Sequence, residues 1–275
     1  EAERYPKVAE FAERCRERVL EIELQRGDLP TAASLPALAL RSIWGTQRLM
    51  GVLRALGADP LSRGYAGGSE GKSTVLSHLV RVALPLAGDS PEEFAALARA
   101  EGVTPKRLVE VAVYAPQWAA FVEHALEIDG LREAALWLHA HTKDEQWTVD
   151  EEIRELWFAE MSERTPLTRQ ELLDGAVDVA WFQQVRARLA PEAWPRLLAA
   201  AKFASGGAGH KRAELFASTL LGETSAAALT ERITAKRHLD SVRALGLAAL
   251  PADPAERQPA LLSRYETLQR FLRES

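Results

Sequence analysis

The side chains best suited to chemistry gather in two stretches. His139 and His141 flank Ala140, and Asp144 follows shortly after. Imidazole and carboxylate together suit acid–base work, and a cleft built on them would draw in His210 from far along the chain. Two histidines two apart on a helix point away from each other, which disfavours a bidentate metal site. The ordinary reading is a pair of helix C-terminal histidines bonded to free carbonyls. The second stretch, Ser205-Gly206-Gly207-Ala208-Gly209-His210-Lys211-Arg212, is a glycine-rich turn running into a helix. Helix N-termini attract anions. Lys202, Gly207, Gly209, His210, Lys211 and Arg212, with Lys236 and Arg237 beyond them, therefore form a candidate anion- or nucleic-acid-binding set. The alternative is a tight interhelical turn that needs glycine for positive φ or close packing.

Other motifs carry less. Ala66-Gly67-Gly68-Ser69-Glu70-Gly71-Lys72-Ser73-Thr74 fits a permissive P-loop pattern. Its first glycine is missing, no strand enters it, and no later strand ends in an aspartate for the metal. It reads as a loop capping the next helix. Five of the seven tryptophans fall between Trp118 and Trp181. Exposed, they would stack bases or grip a peptide; packing between helices is the commoner role. Cys15 is the one cysteine, has no base near it in sequence and is expected in the core. No nucleophile elbow, paired metal ligands or dinucleotide fingerprint occurs, so no metal and no cofactor is expected.

These residues must be positioned by helices. Val8, Phe11, Cys15, Val19 and Ile22 recur at spacings of three and four, the signature of one helix face. A second helical stretch runs over 35–56 with a break near Gly45. Ser90-Pro91-Glu92-Glu93 and Thr104-Pro105 are helix starts, and Thr168 with Glu171 makes a capping box. Ile153, Leu156, Trp157 and Met161 are assigned to one side of a helix over 149–161. Further helices are expected over 73–86, 130–141, 178–189, 191–203, 209–221, 225–238 and 256–273. Val109 to Tyr114 is the best strand candidate, and a buried helix explains it equally well. The expectation is an all-α fold, an irregular HEAT-like helical repeat array or a compact multi-helix domain. A single domain spans 1–275, with weak boundaries near 61–71 and 250–259.

The chain has 275 residues, 47% of them hydrophobic and 27% charged. Alanine and leucine make up nearly a third of it, which favours helix. One cysteine forbids an internal disulfide and fits a reducing cytoplasm. A net charge of −5 argues against a whole-surface footprint for nucleic acid. Charge is uneven: acids outnumber bases three to one over 123–178, while bases prevail over 202–243. No apolar run is long enough for a membrane span. The N-terminus shows no signal-peptide pattern, and the missing initiator methionine suggests a piece excised from a larger protein.

Tyr114-Ala115-Pro116-Gln117-Trp118, Trp137-Leu138-His139-Ala140-His141-Thr142-Lys143-Asp144, the 205–212 turn and Ile233-Thr234-Ala235-Lys236-Arg237-His238 resemble a bacterial family of unknown function. That family occurs in large WGR-associated proteins, sometimes labelled MolR-like regulators. The resemblance covers most of the chain from about Thr31 onward. It implies a helical, HEAT-like segment of a long cytosolic protein and brings no catalytic motif. Three functions follow as expectations. The first is a non-catalytic interaction or scaffold module whose partner is another protein or the flanking domains. The second is nucleic-acid or phosphate-ligand binding through the basic glycine-rich loop. The third is an enzyme with a cleft built on His139, His141, Asp144 and His210.

Overall fold

The computed structural model describes residues 4–63, 70–143, 151–205 and 207–274. Among them the fold is all-α, with sixteen α-helices. In chain order these are α1 (Pro6–Leu24), α2 (Ser34–Leu38), a strand β1 (Ile43–Trp44), α3 (Thr46–Leu56), α4 (Lys72–Val82), a strand β2 (Ala83–Leu84), α5 (Pro91–Ala100) and α6 (Pro105–Tyr114). A 3-10 turn at Pro116–Trp118 leads to α7 (Ala119–Leu126), α8 (Leu131–His141), α9 (Glu151–Ser162), α10 (Arg169–Asp174), α11 (Val179–Arg188) and α12 (Ala193–Ala201). The last are α13 (Gly209–Leu220), α14 (Ala226–Lys236), α15 (Leu239–Leu245) and α16 (Pro254–Arg273).

Helix starts lie where the capping residues put them. The hydroxyls of Ser90, Thr104 and Ser225 accept the N–H groups of Glu93, Arg107 and Ala228 at 3.1, 3.2 and 3.2 Å. Thr168 and Glu171 cap each other's main chain at the start of α10. Each bond satisfies a donor that the first turn of a helix leaves without a partner. Val109 to Tyr114 is helix, inside α6. The 35–56 stretch is broken over residues 39–45, with Gly45 directly before α3, and within that break Ile43–Trp44 pairs in parallel with Ala83–Leu84. Gly45 has φ +100°, and a Cβ there would stand 3.0 Å from Leu86 Cδ1.

By internal contacts the chain forms two compact units, Glu1–Leu136 with Arg188–Gly206, and Trp137–Ala187 with Gly207–Ser275. In the first, α3 packs on α4, α5 on α7, and α6 on α7 and α12. Leu49, Leu76, Phe94, Val111, Trp118 and Val122 are fully buried there. Phe94 stacks on Trp118 with ring centroids 5.7 Å apart, and the Trp118 indole N–H donates to Ala83 O at 2.8 Å. A buried ion pair ties down the end of α1. Neither the Arg26 nor the Glu23 side chain is exposed. Arg26 Nη1 donates to Glu23 Oε2 at 2.7 Å and Ser34 Oγ at 3.2 Å. Its Nη2 donates to Leu29 O at 2.8 Å and Glu70 O at 3.0 Å, and its Nε to Gly27 O at 3.3 Å. All five donors of this guanidinium have acceptors.

The N-terminal part of α1 departs from the sequence expectation. Val8 and Phe11 are 65% and 60% exposed, and Cys15 is exposed rather than in the core. The residues that α1 buries, Leu20 and Glu23, lie in its last two turns. The periodicity marks an apolar face correctly, but α2 and α3, its packing partners, are too short to cover the whole of it.

In the second unit, α15 packs on α13 and α14, and α16 on α14. Met161, Leu172, Phe216 and Leu229 are fully buried. Trp157 joins Met161 in the core, whereas Leu156 is 73% exposed. Four residues separate Trp157 from Met161, so they share a face, and Leu156 lies a further 100° round the helix. The tryptophans mostly pack between helices: Trp118, Trp137, Trp157, Trp181 and Trp194 are buried and Trp44 is exposed. Trp147 lies outside the described residues.

Candidate functional site

The two histidines of α8 part company, as a spacing of two on a helix requires. His139 is half-buried, and its carbonyl accepts the Thr142 hydroxyl at 3.0 Å. His141 points inward. Its ring lies 4.4 Å from the Trp137 ring and 6.2 Å from those of Trp181 and Phe216, centroid to centroid. Phe182 closes on Trp137 at 4.9 Å. Neither ring nitrogen of His141 finds a hydrogen-bond partner among the described residues, and the same holds for the Trp181 indole N–H. Burial, helped by the nearby Arg212 guanidinium, pushes the imidazole from 6.5 down to about 3. His141 is therefore neutral at physiological pH and a poor proton acceptor there. Asp144, the third expected member, lies outside the described residues.

Arg212 caps the end of α8. This side chain, in the first turn of α13, is 3% exposed. Its Nε donates to His141 O at 3.2 Å and its Nη2 to Lys143 O. A guanidinium thus satisfies carbonyls that the last turn of a helix leaves open. It sits inside the unit rather than on the surface expected of an anion-binding cation.

The other basic residues are differently placed. Gly207 is exposed and Gly209 buried at the first position of α13. His210 Nδ1 pairs with Gly207 O at 3.1 Å. Lys211 and Lys236 are exposed. Arg237 adopts φ +49° at the end of α14, donates to Glu274 Oε2 and Phe271 O, both at 3.3 Å, and lies 4.8 Å over the Phe271 ring. Lys202 belongs to the other unit, with its ammonium 4.9 Å over the Phe203 ring. Lys72, the lysine of the P-loop-like string, pairs with Asp59 at 3.1 Å, and the 64–69 portion lies outside the described residues. No group of three metal-ligating side chains occurs among the described residues.

A feature that sequence reading missed is the bare face of α16. This 20-residue helix buries none of its side chains. Leu261, Leu262, Tyr265 and Leu272 are 51–65% exposed. An open groove of about 730 Å³ runs beside it, lined by Ala226, Ala227, Thr230, Leu250, Ala260 and Arg264. The signal was present as leucines at spacings of three and four, but such a pattern announces an apolar face without saying whether the chain covers it.

No helix among the described residues is long and apolar enough to cross a membrane. No curated protein and no solved structure matches the chain. A family model does match, from residue 1 to residue 275, and by it the chain belongs to a family of unknown function, DUF5724.

Proposed function

We propose that the chain is a non-catalytic α-helical interaction module of a larger cytosolic bacterial protein, its helices arranged as an irregular HEAT-like array. The observation that carries this reading is α16, whose 20 residues are all left unburied with four large apolar side chains exposed. Contiguous exposed apolar surface marks sites of interaction. The resemblance to WGR-associated proteins supports the larger context. A cleft enzyme has less support, since His141 is neutral and walled in by aromatic rings. Photo-crosslinking residues placed singly at Phe11, Leu156, Lys211 and Leu261 in the producing cell test the module. The same protein should be trapped repeatedly from at least one position. An absence of discrete adducts from every position would refute it.

Nucleic-acid or phosphate-ligand binding is the second reading, and the exposure of Lys211 and Lys236 favours it. It predicts salt-sensitive binding of labelled DNA or RNA that a Lys211→Glu/Lys236→Glu variant loses. Unchanged binding in that variant would refute it.

A further inference from the structure

We propose that the end of the second unit, from Ala249 to Glu274, is a strap that lifts off α14 as one piece while α13, α14 and α15 stay folded. The buried core of this unit runs out just before it. Among the described residues Ala244, Leu245 and Ala248 are the last buried side chains, and every residue from 249 to 274 is exposed or half-buried. A segment with few buried apolar contacts opens at a lower free energy than the core it leans on.

The contact with α14 is thin. Ala260, Arg264, Thr267 and Phe271 are half-buried and recur at spacings of four, three and four, so they share the inward face of α16. Phe271 is the one large apolar side chain of those four, whereas Leu261, Leu262, Tyr265 and Leu272 face water and add little adhesion. An open groove of about 730 Å³ lies between Ala226, Ala227 and Thr230 of α14 and Leu250, Ala260 and Ser263 of the strap. Pro259 stands inside α16 and cannot donate to the carbonyl one turn back, which weakens the helix itself.

Two arginines of the strap hold it to itself. Arg264 donates to Ala248 O and Ala249 O at 2.8 and 2.7 Å, and Arg257 to Pro251 O and Ala252 O at 3.0 and 3.1 Å. These charge-assisted bonds clasp the leader over 248–252 against α16, so the two move together. Arg264 Nε, closed off from solvent, has no acceptor among the described residues. The latch comes from α14. Arg237 at its end donates to Glu274 Oε2 and Phe271 O, both at 3.3 Å, and lies 4.8 Å over the Phe271 ring. Both bonds are longer than the usual range, and φ +49° is an unfavourable conformation for a residue with a side chain. The latch thus sits at the far end of α16 and the hinge just after Ala248. Opening between them bares the Ala226, Ala227 and Thr230 face of α14.

The test is amide hydrogen exchange across the full chain, read by mass spectrometry. Amides of α16 should exchange about a hundredfold or more faster than those of α13 and of α14 around Leu229 and Ile233. Arg237→Asn tolerates the left-handed backbone and removes the guanidinium. It should speed exchange in α16 by about a further tenfold and leave α13 unchanged. Glu274→Lys, at an exposed position that cannot upset the core, should act in the same direction. Protection of α16 equal to that of α13 would overturn the proposal. So would either variant speeding α13 as much as α16, because the strap would then open only with the whole unit. Exchange in α16 that neither variant changes would remove Arg237 as the latch and overturn it as well.

Discussion

Arg212 donates to the main-chain oxygen of His141 at 3.2 Å, so the guanidinium that caps helix α8 also stands beside its buried imidazole. The fork reaches two carbonyls at once, those of His141 and Lys143. Lysine offers one point of contact and cannot reproduce it. Arg212→Lys should therefore cost about 2–3 kcal/mol, read from the urea midpoint. A loss below about 0.5 kcal/mol would show that those carbonyls find other donors.

His141 makes stability depend on pH. Its imidazole titrates near 6.5 when unfolded and is pushed down to about 3 in the fold. Between those values the unfolded chain holds a proton that the folded chain refuses. Stability should fall as pH drops through that window, by up to about 1.4 kcal/mol per pH unit. His141→Phe keeps an aromatic ring in the chamber and should flatten this slope. Unfolding free energies measured from neutral to acid pH decide it, and an unchanged slope in the variant would assign the dependence to other groups.

The Glu23–Arg26 pair should behave as a buried pair whose halves depend on each other. Removing one partner strands the other charge, at about 3–5 kcal/mol. Glu23→Leu and Arg26→Met should each be severely destabilised in denaturant titrations. The double variant should be less destabilised than the sum of the two. Additive losses would mean that the neighbouring hydroxyls and carbonyls, rather than the pair, carry the effect.

Two glycines separate strain from crowding. Gly102 and Gly130 both have positive φ, +67° and +78°. A Cβ on Gly102 meets nothing within 4 Å, whereas one on Gly130 stands 3.2 Å from Arg188 Cβ and from Leu189 N. Gly102→Ala should cost about 1 kcal/mol, the backbone term alone. Gly130→Ala should cost distinctly more, because one neighbour is main chain and cannot rotate away. Equal shifts in thermal unfolding would place the whole effect in the backbone.

Much of the helix map was legible in the letters, because caps and breaks are local. Ser90, Thr104, Thr168 and Ser225 start helices with bonds that span three residues. Gly45 marks its own break through its positive φ. Side-chain fate was less legible because it depends on partners far away in sequence. Val8 and Leu156 look like core residues by period and are exposed, while Arg212 looks like a surface cation and is buried. The α15 helix went unseen, since seven residues hold too few turns to show a period. The face of α16 was readable as apolar, but no local pattern encodes whether it is covered.

The saturated guanidinium of Arg26 also sets a clock. One of its acceptors, Glu70 O, is made 44 residues after it. At a synthesis rate of roughly 5–20 residues per second, the arginine waits about 2–9 s for that carbonyl. Until then one of its five donors is left to water, while Gly27, Glu23, Ser34 and Leu29 can already serve the others. The end of α1 thus reaches its full native bonding only after the stretch leading into α4 has been made, 44 residues further along the chain.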